Sequence, residues 1–137
     1  MTYDLDQLNA ASAGTLMESL GITYTSVSEN CVKAVMPVNK RTCQPFGILH
    51  GGASLALAET VAGLGSMILC APDETAVGMQ VSGNHVSAAY EGDVVRAEAT
   101  IVHKGKTSHV WDINIYASSD ERLVSSVRVL NSVIKKK

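Results

Sequence analysis

Apolar and polar positions alternate over much of the second half of the chain. Trp111, Ile113 and Ile115 fall on one side, and Asp112, Asn114 and Tyr116 on the other. That period of two predicts a half-buried strand. The same reading predicts strands near 75–87, 92–104, 107–117 and 122–134. Turns at Glu91-Gly92-Asp93, Lys104-Gly105-Lys106 and 118–121 separate them. Earlier, Val32, Ala34, Met36 and Val38 alternate with Lys33 and Pro37, which predicts two short strands around a turn near Glu29-Asn30. Two segments break the pattern. Leu5, Leu8, Leu16 and Leu20 form a stripe that predicts one helix ended by Gly21. From about His50 to Cys70 nearly every residue is small or apolar, which predicts a long helix buried on most faces and stopped by Pro72 and Asp73. The loop between, 39–49, is broken by Pro45 and Gly47.

Helix, two strands, long helix and four hairpin-linked strands make an α+β domain over residues 1–137, with an antiparallel sheet and its helix on one face. A helix apolar all round needs cover on more than one side. The sheet covers one, and a second copy of the chain is the natural cover for the other.

Composition narrows the function. The chain has 137 residues, 46% hydrophobic, with a formal net charge of −2. There is no basic face for nucleic acid. Gly47 to Leu69 is long enough to span a bilayer, but Glu59, Ser54, Thr60, Ser66 and the glycines within it point to a core helix, so no membrane partner is expected. Cys31, Cys43 and Cys70 are odd in number and form no CxxC pair. This argues against a disulfide framework and for a reducing cytoplasm. His50, His85, His103 and His109 show no ligand spacing, so no metal is expected. The N-terminus shows no secretory signal pattern, and Lys135, Lys136 and Lys137 read as a solvated chain end.

The chemistry gathers at the long helix. Gly51 and Gly52 sit at its start, where unpaired N–H groups and the positive dipole end can stabilise a developing oxyanion; the same pair also permits tight packing. Glu59, inside the apolar run, is either a structural ion partner or a chemical tool. It lies about 12 Å further along the helix axis, too far to share one carbonyl with Gly51 of the same chain. Two antiparallel helices across a two-fold axis bring Gly51 of one copy to Glu59 of the other.

The stretch Gln44-Pro45-Phe46-Gly47-Ile48-Leu49-His50-Gly51-Gly52-Ala53-Ser54, followed by Ala58-Glu59, resembles the hotdog-fold acyl-CoA thioesterases. The likeness is to the PaaI-like branch that includes the 4-hydroxybenzoyl-CoA thioesterase of the Arthrobacter type, the enterobactin-pathway proofreading thioesterase and the 1,4-dihydroxy-2-naphthoyl-CoA hydrolase of menaquinone synthesis. It runs from about Gly21 to Ile134 and takes in "MPV" at 36–38, "NHV" at 84–86, "EGD" at 91–93 and "VWDINI" at 110–115.

The resemblance implies a hotdog fold, in which the sheet wraps the long helix, and hydrolysis of an acyl- or aroyl-CoA thioester to free acid and CoA. It implies a homodimer that assembles into a homotetramer, with CoA thioester as substrate and no cofactor. Glu59 matches the catalytic carboxylate, as nucleophile or general base. Gly51 matches the oxyanion donor, and Gln44 and His50 the polar pair beside the thioester. Gly78, His85, Val86, Ser87 and Ala88, with Val102, His103, Lys104, Gly105, Lys106 and Thr107, match positions lining the substrate and CoA channel. Family members often carry Ser or Thr one turn after the acid. Here that position is Gly63, which implies a roomier site, with Thr60 pointing elsewhere.

The Gly-Lys-Thr at 105–107 is no P-loop, because Thr100 stands where its first glycine belongs. The rival readings are an acyl-thioester hydratase or dehydratase of the same fold and a non-enzymatic acyl-CoA binding module. The intact Glu59 speaks against the second.

Overall fold

The computed structural model describes residues 3–137. Its elements are α1 (Leu5–Ala10), α2 (Leu16–Leu20), β1 (Thr23–Val27), β2 (Cys31–Pro37), α3 (Gly51–Leu69), β3 (Glu74–His85), β4 (Val94–Lys104), β5 (Ser108–Ala117) and β6 (Leu123–Lys135). The strands form one antiparallel sheet in the order β1-β2-β4-β5-β6-β3. Helix α3 packs across it and touches β2 to β6. The predicted α+β arrangement, with its antiparallel sheet on a long central helix, is therefore present.

The alternating residues make the core. Val32, Ala34 and Met36, Val95, Ala97 and Ala99, and Trp111, Ile113 and Ile115 are all buried. Ala97 of β4 stands between Ala34 of β2 and Ile115 of β5. Small side chains there leave room for α3 to lie close.

Two expectations change. The N-terminal segment is two short helices, because Gly14 takes a left-handed φ of 77° between them. Gly21 does end the second as a left-handed cap, φ 76°. Helix α3 is buried on one side only. Leu57, Ala58, Val61 and Ala62 face the sheet, whereas Gly52, Glu59 and Met67 are exposed. The side away from the sheet carries Gly52, Leu55, Ala56, Thr60, Gly63 and Leu64, so composition alone does not tell it from a buried one.

A polar knot ties α3 to the sheet. The buried Ser66 hydroxyl accepts from Trp111 Nε1 (2.9 Å) and Asn131 Nδ2 (2.9 Å). Both lone pairs are then used, so its proton points to His109 Nδ1, 2.8 Å away. His109 is thereby held neutral, and burial, with Lys104 adding to it, keeps its pKa below the usual range.

Ser66→Ala strands two buried donors and one acceptor and should cost at least about 1–3 kcal/mol in urea unfolding. The pH dependence follows from His109. The unfolded chain takes up the proton first, so the stabilisation is complete above about pH 6.5 and is lost as pH falls below it toward the lowered folded value. The melting temperature should therefore fall on acidification below about pH 6.5, and less steeply in His109→Gln, which keeps a neutral acceptor.

Candidate active site

The loop before α3 is fixed by its own backbone. Thr42 Oγ1 donates to Pro37 O (2.9 Å), His50 N–H donates to Thr42 O (2.8 Å), and Gly47, at φ 83°, closes a turn by donating to Gln44 O (3.1 Å). Gln44 Oε1 accepts from Phe46 N–H, which leaves its amide N–H groups as donors. Bridges from Cys43 to Leu49 and from Ile48 to Tyr90 hold the loop ends.

His50 is the N-cap of α3. Its Nδ1 accepts from Gly52 N–H at 2.8 Å, so the ring proton sits on Nε2. Gly51 N–H, the first of the helix, has no acceptor among the described residues. His85 lies against Gly51: a Cβ there would stand 2.7 Å from His85 Nε2. His85 Nδ1 is in turn 2.7 Å from the buried Ser125 Oγ. A cavity of about 400 Å³ opens at this point. Gln44, Gly51, His85, Val86, Ser87 and Ala88 line it, so six of the predicted residues meet.

The other predicted residues lie elsewhere in the chain. Glu59 and Gly63 border a second cleft of about 340 Å³, under α1 and α2. Glu59 is exposed there and makes no hydrogen bond or ion pair among the described residues, so its own chain does not bury it, contrary to the sequence reading. Thr60 also lines this cleft and does not point elsewhere; its hydroxyl donates to Ala56 O at 2.7 Å. A Cβ at Gly63 would meet nothing within 4 Å, so the space inferred there is real. Lys104, Gly105 and Lys106 line a third cavity, of about 640 Å³, beside Leu69, Cys70 and His109 at the far end of α3. Val102, His103 and Thr107 are exposed near it, and Gly78 is exposed at a bulge of the edge strand β3. One chain thus divides the predicted residues among separate cavities.

Sequence reading missed Ser54, Ser125 and Arg122. Ser54 lies one turn after Gly51 and lines the first cavity. Ser125 shares the inward face of β6 with Val127 and Val129, so a hydroxyl on an apolar face was the available signal. Arg122 bonds the Ala88 carbonyl and, at 3.1 Å, Ser87 Oγ, and so holds the cavity wall.

A six-stranded antiparallel sheet wrapped on one long helix is the hotdog fold, and its open helix N-terminus beside a cavity is suited to binding a carbonyl oxygen. The thioesterase superfamily model matches residues 46–124. The chain is 43% identical to the proofreading thioesterase EntH of Cronobacter turicensis, over 89% of this chain and 88% of that protein. A crystal structure of a Haemophilus influenzae thioesterase superposes with a TM-score of 0.92 at 36% identity, covering 98% of this chain and 93% of that one. A thioesterase from Pseudomonas aeruginosa gives 0.93 at 35%, covering 99% and 97%. The chain belongs to the thioesterase superfamily and is a thioester hydrolase.

Removal of the helix cap separates two roles of His50. His50→Ala should lower stability by about 0.5–2 kcal/mol in chemical unfolding, and His50→Asn, which can still accept from Gly52 N–H, should recover most of it.

Proposed function

We propose that this thioesterase cleaves acyl- or aroyl-CoA, with Glu59 as the acid group and Gly51 N–H as oxyanion donor, each from a different copy of the chain. The observation that carries the reading is the Gly51 N–H, which lines the cavity and has no acceptor among the described residues. The helix dipole makes that end attractive to a developing negative charge. Gln44 amide N–H and His50 Nε2–H are further donors for the carbonyl or the water, and His85, seated by Ser125, borders the same place.

Glu59 either attacks the carbonyl carbon or takes a proton from an attacking water. Either way the C–S bond breaks, and the thiolate of CoA leaves and is protonated. Attack by Glu59 leaves a mixed anhydride that water hydrolyses to the free acid and the restored carboxylate, whereas attack by water gives the free acid directly. A thiolate leaves without strong acid assistance, so a carboxylate and an oxyanion donor suffice.

Two copies are needed because Gly51 and Glu59 open on different clefts of one chain. A long edge strand supports this. β3 is an edge strand of the sheet, without a partner on one side among the described residues, and Val77, Met79 and the adjoining Val86 are exposed. Such edges are usually covered, and a two-fold pairing of β3 with itself extends the sheet and sets the helices antiparallel. A homotetramer then follows the family. Lys104, Gly105, Lys106 and Thr107 form an exposed basic turn suited to CoA phosphates, with Val102, His103 and Gly78 along the channel. Three free cysteines fit a reducing cytoplasm. Aromatic acyl groups are the substrates that the sequence resemblance implies, and the open space at Gly63 favours a broad range.

Glu59→Gln keeps shape and removes both base and nucleophile. It should retain the melting temperature and substrate binding and lose at least about 10²-fold in kcat, followed by thiol release; near-normal turnover would exclude Glu59 from the chemistry. Gly63→Ser places a hydroxyl in open space one turn past Glu59. It should narrow the range toward small aroyl groups when kcat/KM is compared for benzoyl-, dihydroxynaphthoyl- and hexanoyl-CoA. An unchanged profile would place specificity elsewhere.

A further inference from the structure

We infer that α1 and α2 wall the acyl pocket, and that the Ser12 hydroxyl between them recognises a neutral hydrogen-bonding oxygen on the acyl group, remote from the thioester. This rests on the reading of Glu59 as the catalytic carboxylate. The cleft beside Glu59 is bounded by Leu8 and Met17 on one side, Leu64 and Met67 on the other, and Tyr24. At about 340 Å³ it has the size of a small ligand site. Its apolar walls suit an aromatic ring or a medium acyl chain, and Ser12 is also part of the lining.

Ser12 is 6% exposed, and its Oγ is the one buried side-chain polar atom without a hydrogen-bond partner among the described residues. Its backbone is fully engaged: N–H donates to Asn9 O (3.1 Å), and its carbonyl accepts from Thr15 N–H (3.1 Å) and Thr15 Oγ1 (2.6 Å). The hydroxyl does not make the common local bond to a carbonyl one turn back. Orphaned buried hydroxyls are unfavourable and rare, and they call for an explanation. A ligand oxygen supplies one.

Ser12 also borders a cleft on the opposite side, with Asn9 and Glu18. Two of the polar side chains there already have partners. Asn9 exchanges bonds with the Tyr24 backbone (3.1 and 2.8 Å), and Glu18 accepts from Gly14 N–H (3.4 Å). The Glu59 side is apolar apart from Ser12, Tyr24, Thr60 and Glu59, and Thr60 already bonds Ala56 O. Ser12 is therefore the buried neutral hydroxyl on that wall that has no partner among the described residues. The carboxylate of Glu59 disfavours an anionic acyl group, which leaves a hydroxyl or keto oxygen as the matching substituent.

The test compares kcat/KM for two matched pairs, benzoyl- with 4-hydroxybenzoyl-CoA and octanoyl- with 8-hydroxyoctanoyl-CoA. The wild type should favour the hydroxylated member of at least one pair by about tenfold or more, and Ser12→Ala should bring that ratio to within about threefold. Ser12→Ala should also raise the melting temperature of the free protein, because an orphaned hydroxyl is gone; a purely structural serine would lower it. Leu8→Phe narrows the same cleft and should reduce octanoyl-CoA against acetyl-CoA by about tenfold. A ratio unchanged in Ser12→Ala, or an octanoyl-to-acetyl ratio unchanged in Leu8→Phe, overturns the inference. If benzoyl-CoA turnover is lost in Glu59→Gln, those failures fall on Ser12 and the wall alone. If Glu59→Gln stays active, the reading of Glu59 fails, and this inference with it.

Discussion

Helix α3 rests on the sheet through two contacts that leave no room for a methyl group. At Gly65 a Cβ would stand 2.4 Å from the Trp111 ring, and at Gly51 it would stand 2.7 Å from His85 Nε2. The first contact lies beside the knot in which Ser66 joins Trp111, Asn131 and His109. The second lies beside the His50 cap and the His85–Ser125 pair. Both ends of the helix are thus set by close approach and then held by buried hydrogen bonds. A helix has little freedom in its rise per residue, so fixing its two ends also fixes where Gly51 and Glu59 stand.

That constraint shapes the chemistry. Gly51 and Glu59 lie on one rigid element about 12 Å apart, and they open on different clefts. A single carbonyl cannot reach both in one chain. The proposed two-fold pairing would resolve this with no movement of the helix, because antiparallel copies exchange the two ends. The exposed side of α3, with its small residues and Glu59, and the unpaired edge of β3 then have a common explanation.

Much of this was legible in the sequence, and the rest was hidden for physical reasons. Period-two alternation placed the inward faces of β2 and β5, because one face of each strand packs on α3. Gly21 was legible as a cap because it needs a left-handed backbone. Gly14 needs one too, but the leucine stripe passes over it, and a stripe does not show that the helix breaks beneath it. The exposure of α3 was hidden because its outer side, with Leu55, Ala56, Gly63 and Leu64, is nearly as apolar in composition as the side that faces the sheet. Within the site, Gln44 and Gly51 are near in sequence and share a motif. His85 and Ser125 reach them only through the pairing of β3 with β6, which no local spacing encodes.

The claim that each site is shared between copies is tested most directly by mixing disabled subunits. Glu59→Gln removes the acid; the double variant Gly51→Pro, His85→Ala removes the donor N–H at the first helical position, where proline is tolerated by the helix backbone, and clears the imidazole that a Cβ there would meet at 2.7 Å. Each homo-oligomer should be inactive. A dimer holding one copy of each has one site with both native groups and one with neither, so it should recover about half the wild-type activity on an acyl-CoA. Inactive mixtures, with subunit exchange verified by mass, would contradict the account and place the whole site within one chain.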